Sequence, residues 1–160
     1  MKSKEDDQPD SPREENAASL ESRISQFLPA VSVTIAQMQQ VSPAALAYLG
    51  DAVYELYIRN CYLLPPKRSQ TYHRLVVAQV RAETQALHLQ SLTPYLNSTE
   101  LEIVRRGRNA TTGRPRRNVD PEVYQQATSL ETLMGYLYLT NSYRLQQLLQ
   151  KLKLELDVEE

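Results

Sequence analysis

Two long apolar segments, each opened by a capping residue and a proline, constrain the fold of this chain more than any other feature. Ser42-Pro43 opens the first, which runs over residues 42–64 until Pro65-Pro66 ends it. Asp120-Pro121 opens the second, which continues to about residue 139. A polar cap followed by proline at the first helical position is typical of helix starts. Both segments are therefore predicted to be helices, and because the first is apolar nearly all round, we expect it to be central and mostly buried.

Helical patterns also cover most of the remaining chain. A broad apolar stripe predicts one continuous helix over residues 69–92, and Asn97 with Glu100 forms a capping-box pattern that opens a helix to about residue 106. A last helix is predicted from residue 141 or 142. Residues 107–120 read as a long loop, because they carry two glycines and a proline without apolar periodicity. With no alternating strand pattern to compete, the predicted class is all-α.

The domain organisation follows from length and local composition. A chain of 160 residues suits one domain. We expect a disordered acidic tail over residues 1–19, an irregular or short-helix segment over 20–40, one folded helical domain over 41–154 and an acidic end over 155–160.

The cysteine content and the hydropathy of the chain indicate its cellular location. Cys61 is the only cysteine, and the polar N-terminal segment lacks the apolar stretch of a signal peptide. No segment approaches the roughly 18 apolar residues of a membrane span. We therefore predict a cytoplasmic protein without a membrane partner. His73 and His88 show no zinc-ligand spacing, so both are interpreted as surface or packing residues.

Each of the two apolar helices carries a carboxylate among apolar residues. Asp51 lies in the first, and Glu131 is the only charge in residues 130–139. A buried carboxylate needs an arginine, a proton or a metal. One interpretation pairs them with Arg59, Arg74 or Arg81 as structural ion pairs, with Glu55 paired to Arg59 at i+4. The other places Asp51 beside Glu131 to coordinate Mg²⁺, which takes few protein carboxylates and leaves positions for phosphate oxygens. The pattern alone does not decide between them.

Positive charge is concentrated in one segment of the chain. Its net charge is −1, but residues 105–117 hold six arginines and no acidic residue. Guanidinium groups bind phosphates in pairs of hydrogen bonds, and glycines let the backbone approach a phosphate. The segment predicts an anionic partner, with a solvated basic loop as the alternative. The predicted phosphate-binding residues are Arg105, Arg106, Arg108, Asn109, Arg114, Arg116 and Arg117.

Three separated motifs resemble those of a known family. ALAYLGDAVYELYIR over residues 45–59 resembles the ribonuclease III signature around its metal-binding aspartate, and SLETLMGYLYL over 129–139 resembles the motif around its metal-binding glutamate. RRGRNA over 105–110 resembles the corresponding segment of the compact branch, Mini-ribonuclease III. The likeness covers about residues 40–150 in the right order and spacing.

The resemblance implies a homodimeric, all-helical endonuclease that cuts double-stranded RNA and leaves 5′-phosphate and 3′-hydroxyl ends. Asp51 and Glu131 would be the catalytic and metal-binding residues, with Mg²⁺ as cofactor and Mn²⁺ as a substitute. The implied substrate is the large-subunit (23S) ribosomal RNA precursor, and a ribosomal protein is a further candidate partner. Lys67 and Arg68 join the arginine-rich segment as expected RNA-binding residues.

The motifs depart from the full family pattern at two positions. The larger relatives carry acids seven residues before the aspartate and three before the glutamate, where this chain has Ala44 and Thr128. Thr128 could still hydrogen-bond a metal-bound water. The departures leave open a catalytically silent RNA-binding or ribosome-assembly factor on the same fold. A helical protein-interaction domain with an acidic partner is a third hypothesis.

Overall fold

A computed structural model of the protein describes residues 32–110 and 118–155. Within these ranges the chain forms seven α-helices, one turn of 3₁₀ helix and no strand, so the all-α class is confirmed. The helices are α1 Ile35–Gln40, α2 Pro43–Leu63, α3 Ser69–Val80, α4 Ala82–Leu92, α5 Ser98–Arg108, α6 Pro121–Thr140 and α7 Ser142–Leu149, with the 3₁₀ turn Thr93–Tyr95 after α4. The predicted tail over residues 1–19 and the predicted loop arginines Arg114, Arg116 and Arg117 lie outside the described residues. The domain bounds of 41–154 stay a prediction.

The two apolar segments form the central pair of helices, α2 and α6. The Ser42 side chain accepts a hydrogen bond from the Ala45 amide, and the Asp120 side chain accepts one from the Glu122 amide, so both predicted caps are confirmed. α6 packs against α2, α4 and α5 and thereby organises the core. The fully buried side chains at its centre are Tyr54, Ile58, Leu130, Leu133 and Met134.

The helix predicted over residues 69–92 is interrupted at Arg81, where the prediction of one continuous helix is wrong. Arg81 has an extended backbone, with φ −67° and ψ 152°, and it separates α3 from α4. Two hydroxyl groups satisfy carbonyls at the end of α3: Tyr54 donates to the Gln79 carbonyl at 3.0 Å, and Thr84 donates to the Ala78 carbonyl at 2.6 Å. Tertiary and local hydrogen bonds therefore stabilise a break that no proline or glycine marks.

The helix opened by the Asn97–Glu100 capping box runs further than predicted. Both hydrogen bonds of the capping box are present, which confirms the predicted start. The helix ends at Arg108 instead of about Arg106, with Asn109 as its C-cap residue. Gly107 allows this extension, because a Cβ atom there would lie 2.6 Å from Thr132 Oγ1 on α6.

A charged pair ties α5 to the start of α7. Arg144 Nε donates to Glu100 Oε1 at 2.7 Å, and Arg144 also donates to the Tyr95 carbonyl at 2.6 Å. Glu100 is 2% exposed. The hydrogen bond from Arg144 lowers the pKa of Glu100, although burial acts in the opposite direction. The pair thus keeps the buried carboxylate charged at neutral pH.

In the described part of the chain, no helix combines the length and the apolar character that crossing a bilayer needs.

We expect Glu100→Gln to lower the free energy of unfolding by about 2 kcal/mol near neutral pH, because a charge-assisted hydrogen bond is lost. Since folding lowers the pKa of Glu100, its contribution is present above the ordinary carboxyl pKa and is lost as the pH falls through the lower folded value. Urea unfolding at several pH values should therefore show the difference narrowing in acid. Glu102→Gln is the matched control, because Glu102 pairs with Arg105 at the surface. An equal cost for both variants would contradict the assignment.

Candidate active site at the crossing of two helices

A close crossing of α2 and α6 sets the geometry of the site. A Cβ atom on Gly50 would lie 1.7 Å from the Glu131 carbonyl oxygen, and one on Gly135 would lie 2.0 Å from the Leu46 carbonyl oxygen. No side chain larger than hydrogen fits at either position with this spacing. The backbones of the two helices therefore touch through reciprocal glycines.

The crossing brings the two predicted acids to one cleft. Asp51 follows Gly50 in α2, and the backbone of Glu131 contacts Gly50 from α6. Both acids line a cleft with a volume of about 800 Å³. The other lining residues are Ala44, Ala47, Tyr48, Val80, Arg81, Ala82, Glu83, Gln85, Asn118, Val119, Tyr124, Ala127 and Thr128. The structure thus joins the two acids that the sequence singled out.

The acids are more accessible than their apolar helices predicted. Asp51 is exposed and Glu131 is half-buried, so the expectation that Asp51 lies on a mostly buried helix is wrong. The buried row of α2 runs along a different face, through Leu46, Gly50 and Tyr54. Both carboxylates are therefore at least partly accessible to solvent and to a ligand in the cleft.

One of the predicted ion pairs is present. Glu55 and Arg59 form a side-chain salt bridge at i,i+4 on the surface of α2, which confirms the interpretation of Glu55. Arg81, which was considered as an ion-pair partner for the acids, lies at the cleft wall.

The two acids fit a cation that needs few protein ligands. Among the side chains that the structure describes, no three His, Cys, Asp or Glu residues are grouped so as to hold a metal ion by themselves. Mg²⁺ commonly binds through one or two carboxylates, with water and phosphate oxygens completing its shell. Thr128 lines the same cleft, at the position where larger relatives carry an acid. The donor set is thus compatible with Mg²⁺ and unsuitable for a tightly enclosed structural ion.

The described part of the arginine-rich segment lies at a neighbouring surface. Arg105, Arg106 and Asn109 line a second, shallower cleft together with Ser42, Pro43, Ala44 and Ala110. Ala44 borders both clefts. Basic groups at the end of α5 are also favoured by the helix dipole. The cationic end of α5 therefore adjoins the cleft of the two acids.

Other predicted RNA-binding residues occupy different positions. Arg108 approaches Glu122 at 3.8 Å. Lys67 Nζ donates to the Tyr62 and Pro65 carbonyls at 2.6 and 2.9 Å. Of the described residues, neither Lys67 nor Arg68 is part of the lining of the two clefts.

The cleft contains residues that the sequence did not single out as site residues. Val80, Arg81, Ala82, Glu83 and Gln85 reach it because the chain breaks between α3 and α4. In one continuous helix, successive residues would point in different directions around the helix axis, so fewer of them could line one wall of the cleft. No composition signal marks the break, so the sequence could not indicate this wall.

Comparisons with known proteins agree with this arrangement. The profile of the ribonuclease III domain family matches residues 44–142. Two similar curated relatives are both named Mini-ribonuclease 3. The one from Synechocystis sp. is 59% identical over 117 residues, covering 73% of this chain and 81% of the relative. The one from Thermosynechococcus vestitus is 56% identical over 113 residues, covering 71% and 74%.

A solved structure shows the same architecture. The crystal structure of a Fusobacterium nucleatum protein superposes with a TM-score of 0.64 and 31% identity, covering 71% of this chain and 92% of that chain. An all-helical domain that matches the profile across both acid-bearing helices is an endoribonuclease domain. The chain belongs to the ribonuclease III family, in its Mini-ribonuclease 3 branch, which confirms the resemblance.

We expect Gly50→Ala to destabilise the protein by about 2–3 kcal/mol and to reduce catalysis, because the added methyl group separates α2 from α6. Alanine is the better helix former, so intrinsic propensity alone predicts the opposite sign. Thermal unfolding and RNA cleavage assays would measure both effects. Gln90→Gly, at an exposed position of α4, should cost no more than about 1 kcal/mol. A Gly50→Ala protein as stable as the wild type would disprove the close crossing.

Proposed function

We propose that this protein is a Mg²⁺-dependent endoribonuclease that cuts double-stranded RNA. The observation that carries the proposal is the placement of Asp51 and Glu131 on one cleft by the α2–α6 crossing. The basic end of α5 beside that cleft supports a phosphate-bearing substrate. The names of the relatives, Mini-ribonuclease 3, support the reaction class.

In this proposal Asp51 and Glu131 hold the metal through their carboxylates, and Mn²⁺ can replace Mg²⁺. When bound, the metal supplies positive charge to the phosphate and lowers the pKa of a coordinated water. Thr128 offers a hydroxyl group to water in the cleft. Hydrolysis then leaves a 5′-phosphate on one product and a 3′-hydroxyl on the other.

The RNA-binding surface is proposed to extend from the basic end of α5 into the following segment. It comprises Arg105, Arg106, Arg108, Asn109, Arg114, Arg116 and Arg117, with Lys67 and Arg68 as further contacts. Contacts of this kind reach phosphates and 2′-hydroxyl groups and recognise A-form shape more than sequence. We propose the 23S ribosomal RNA precursor as the substrate, in the cytoplasm, with a ribosomal protein as a candidate helper.

Asp51→Asn is expected to abolish Mg²⁺-dependent cleavage of a duplex RNA while leaving its binding in EDTA largely intact, because the amide is nearly isosteric but uncharged. Glu131→Gln should behave alike. Glu55→Gln is the matched control, since Glu55 lies one turn along α2 and pairs with Arg59 outside the cleft. Gel analysis of cleavage and of binding would separate the two effects. A wild-type protein that binds duplex RNA without cutting it at any Mg²⁺ concentration would favour the silent assembly factor.

The proposed enzyme is a homodimer, and α2 supplies a surface for it. The face of α2 opposite the core carries exposed apolar side chains. Tyr48 is 87% exposed, Leu56 is 58% exposed and Leu63 is 54% exposed, and the exposed Ala45 and Ala52 lie on the same face. Contiguous exposed apolar surface on a soluble domain is typical of an interface. A second copy of the chain would cover this face by packing two α2 helices together.

Leu56→Glu is expected to convert the dimer into a monomer, because it places a charge in the apolar interface. Analytical ultracentrifugation would measure the molecular mass, and circular dichroism would check that the helices remain. Leu87→Glu is the control, since Leu87 is 62% exposed on α4, away from that face. A Leu56→Glu protein with the wild-type mass would rule out this interface.

A further inference from the structure

The break between α3 and α4 builds a wall of the cleft that has no assigned role. Five residues of this wall line the cleft together with Asp51 and Glu131, namely Val80, Arg81, Ala82, Glu83 and Gln85. They belong to neither of the two family motifs around the acids. Three features of the wall point to the same kind of ligand.

The first feature is the start of α4, an 11-residue helix whose first turn lies at the cleft. The first amide groups of a helix have no partner within the helix, and the helix dipole makes this end positive. Arg81 is the cap residue, and within the described segments no side-chain hydrogen bond caps this end. An uncapped helix start favours an anion.

The second feature is the side chain of Gln85, which needs a hydrogen-bond acceptor. Gln85 is 2% exposed, and its Nε2 atom has no hydrogen-bond partner among the described residues. Buried amide nitrogens are nearly always satisfied, so an exception calls for an explanation. Because Gln85 lines the cleft, a bound acceptor would provide the missing partner.

The third feature is the guanidinium group of Arg81. Arg81 Nε donates to Thr84 Oγ1 at 3.1 Å, which holds the side chain beside the start of α4. A guanidinium can form two parallel hydrogen bonds with a phosphate. The carboxylate of Glu83 weakens the attraction of an anion to this wall, because Glu83 lies in the first turn of α4 and also lines the cleft.

We propose that Arg81, Gln85 and the first amides of α4 form a phosphate-binding site in the cleft, separate from the two acids. Its ligand is a backbone phosphate of the bound RNA strand near the phosphate that is cut. Arg81, the Gln85 amide nitrogen and the first amides of α4 are all hydrogen-bond donors, so they can bind a phosphate without a metal ion, although Glu83 reduces the positive charge of the wall. Gln85 and Arg81 are therefore positioning residues that hold the strand for the reaction. This inference rests on the proposed function, because it requires an RNA substrate in the cleft.

The first test compares substitutions at two buried glutamines, Gln85 and Gln79. Gln79 is also 2% exposed with an unpartnered amide atom, Oε1, but it is not among the residues that line the cleft. We expect Gln85→Leu to raise the Kd for a duplex RNA in EDTA about tenfold, with an unchanged or higher Tm, because a hydrogen bond to a charged group is lost while a buried amide is removed. We expect Gln79→Leu to leave the Kd unchanged.

Two charge variants test the anionic character of the site. Arg81→Gln should weaken binding and reduce the slope of log K against log salt by about 1, as expected for one lost phosphate contact. Glu83→Gln should tighten binding, because it removes a negative charge from the wall. Filter binding in EDTA over a series of salt concentrations would measure both.

The outcomes separate this inference from the proposed function. If the wild type neither binds nor cuts duplex RNA, the proposed function fails, and the site fails with it. If the wild type cuts RNA but the Arg81 and Gln85 variants match it in Kd and salt slope, only the phosphate site is overturned. Equal losses of Tm in both glutamine variants, with unchanged Kd, would overturn it in favour of a water molecule shared by the two amides.

Discussion

The backbone contact between α2 and α6 is the constraint on which the rest of the structure depends. Glycine in the interior of a helix costs about 1 kcal/mol relative to alanine, yet Gly50 and Gly135 occupy the middle of the two longest described helices. Each is required because a carbonyl of the opposite helix occupies the space of a side chain. Asp51 adjoins Gly50, and Glu131 lies one turn before Gly135. The contact between the two helices therefore also fixes the positions of both acids in the cleft.

Other contacts hold the remaining walls against this central pair. Gly107 lets the basic end of α5 pack directly on Thr132 of α6. On the other side, the Tyr54 hydroxyl lies 2.6 Å from His88 Nδ1 and 3.0 Å from the Gln79 carbonyl. Burial lowers the pKa of His88 and raises that of Tyr54, which favours the neutral form of both rings. A neutral, fully buried hydrogen-bond cluster therefore joins α2 to α3 and α4 behind the cleft.

The parts of this fold that local chemistry determines could be predicted from the sequence. Ser42-Pro43, Asp120-Pro121 and the Asn97–Glu100 box each fix a helix start through hydrogen bonds within four residues. The break at Arg81 could not be predicted, because Tyr54, distant in sequence, helps to stabilise it. The exposure of Asp51 was missed for a related reason: an apolar helix does not reveal which of its faces contacts its own core.

A cleft with few acids suits a polyanionic substrate. Replacing acids by Ala44 and Thr128 leaves fewer ligands for a cation, but it also removes negative charge that would repel phosphates at short range. The cleft adjoins Arg105 and Arg106 at the end of α5 and contains Arg81 at the α3–α4 break. Arginines from two separate parts of the fold therefore lie in or beside the cleft that Asp51 and Glu131 line. In the proposed metal site, phosphate oxygens of the substrate would complete the coordination that the two carboxylates leave open.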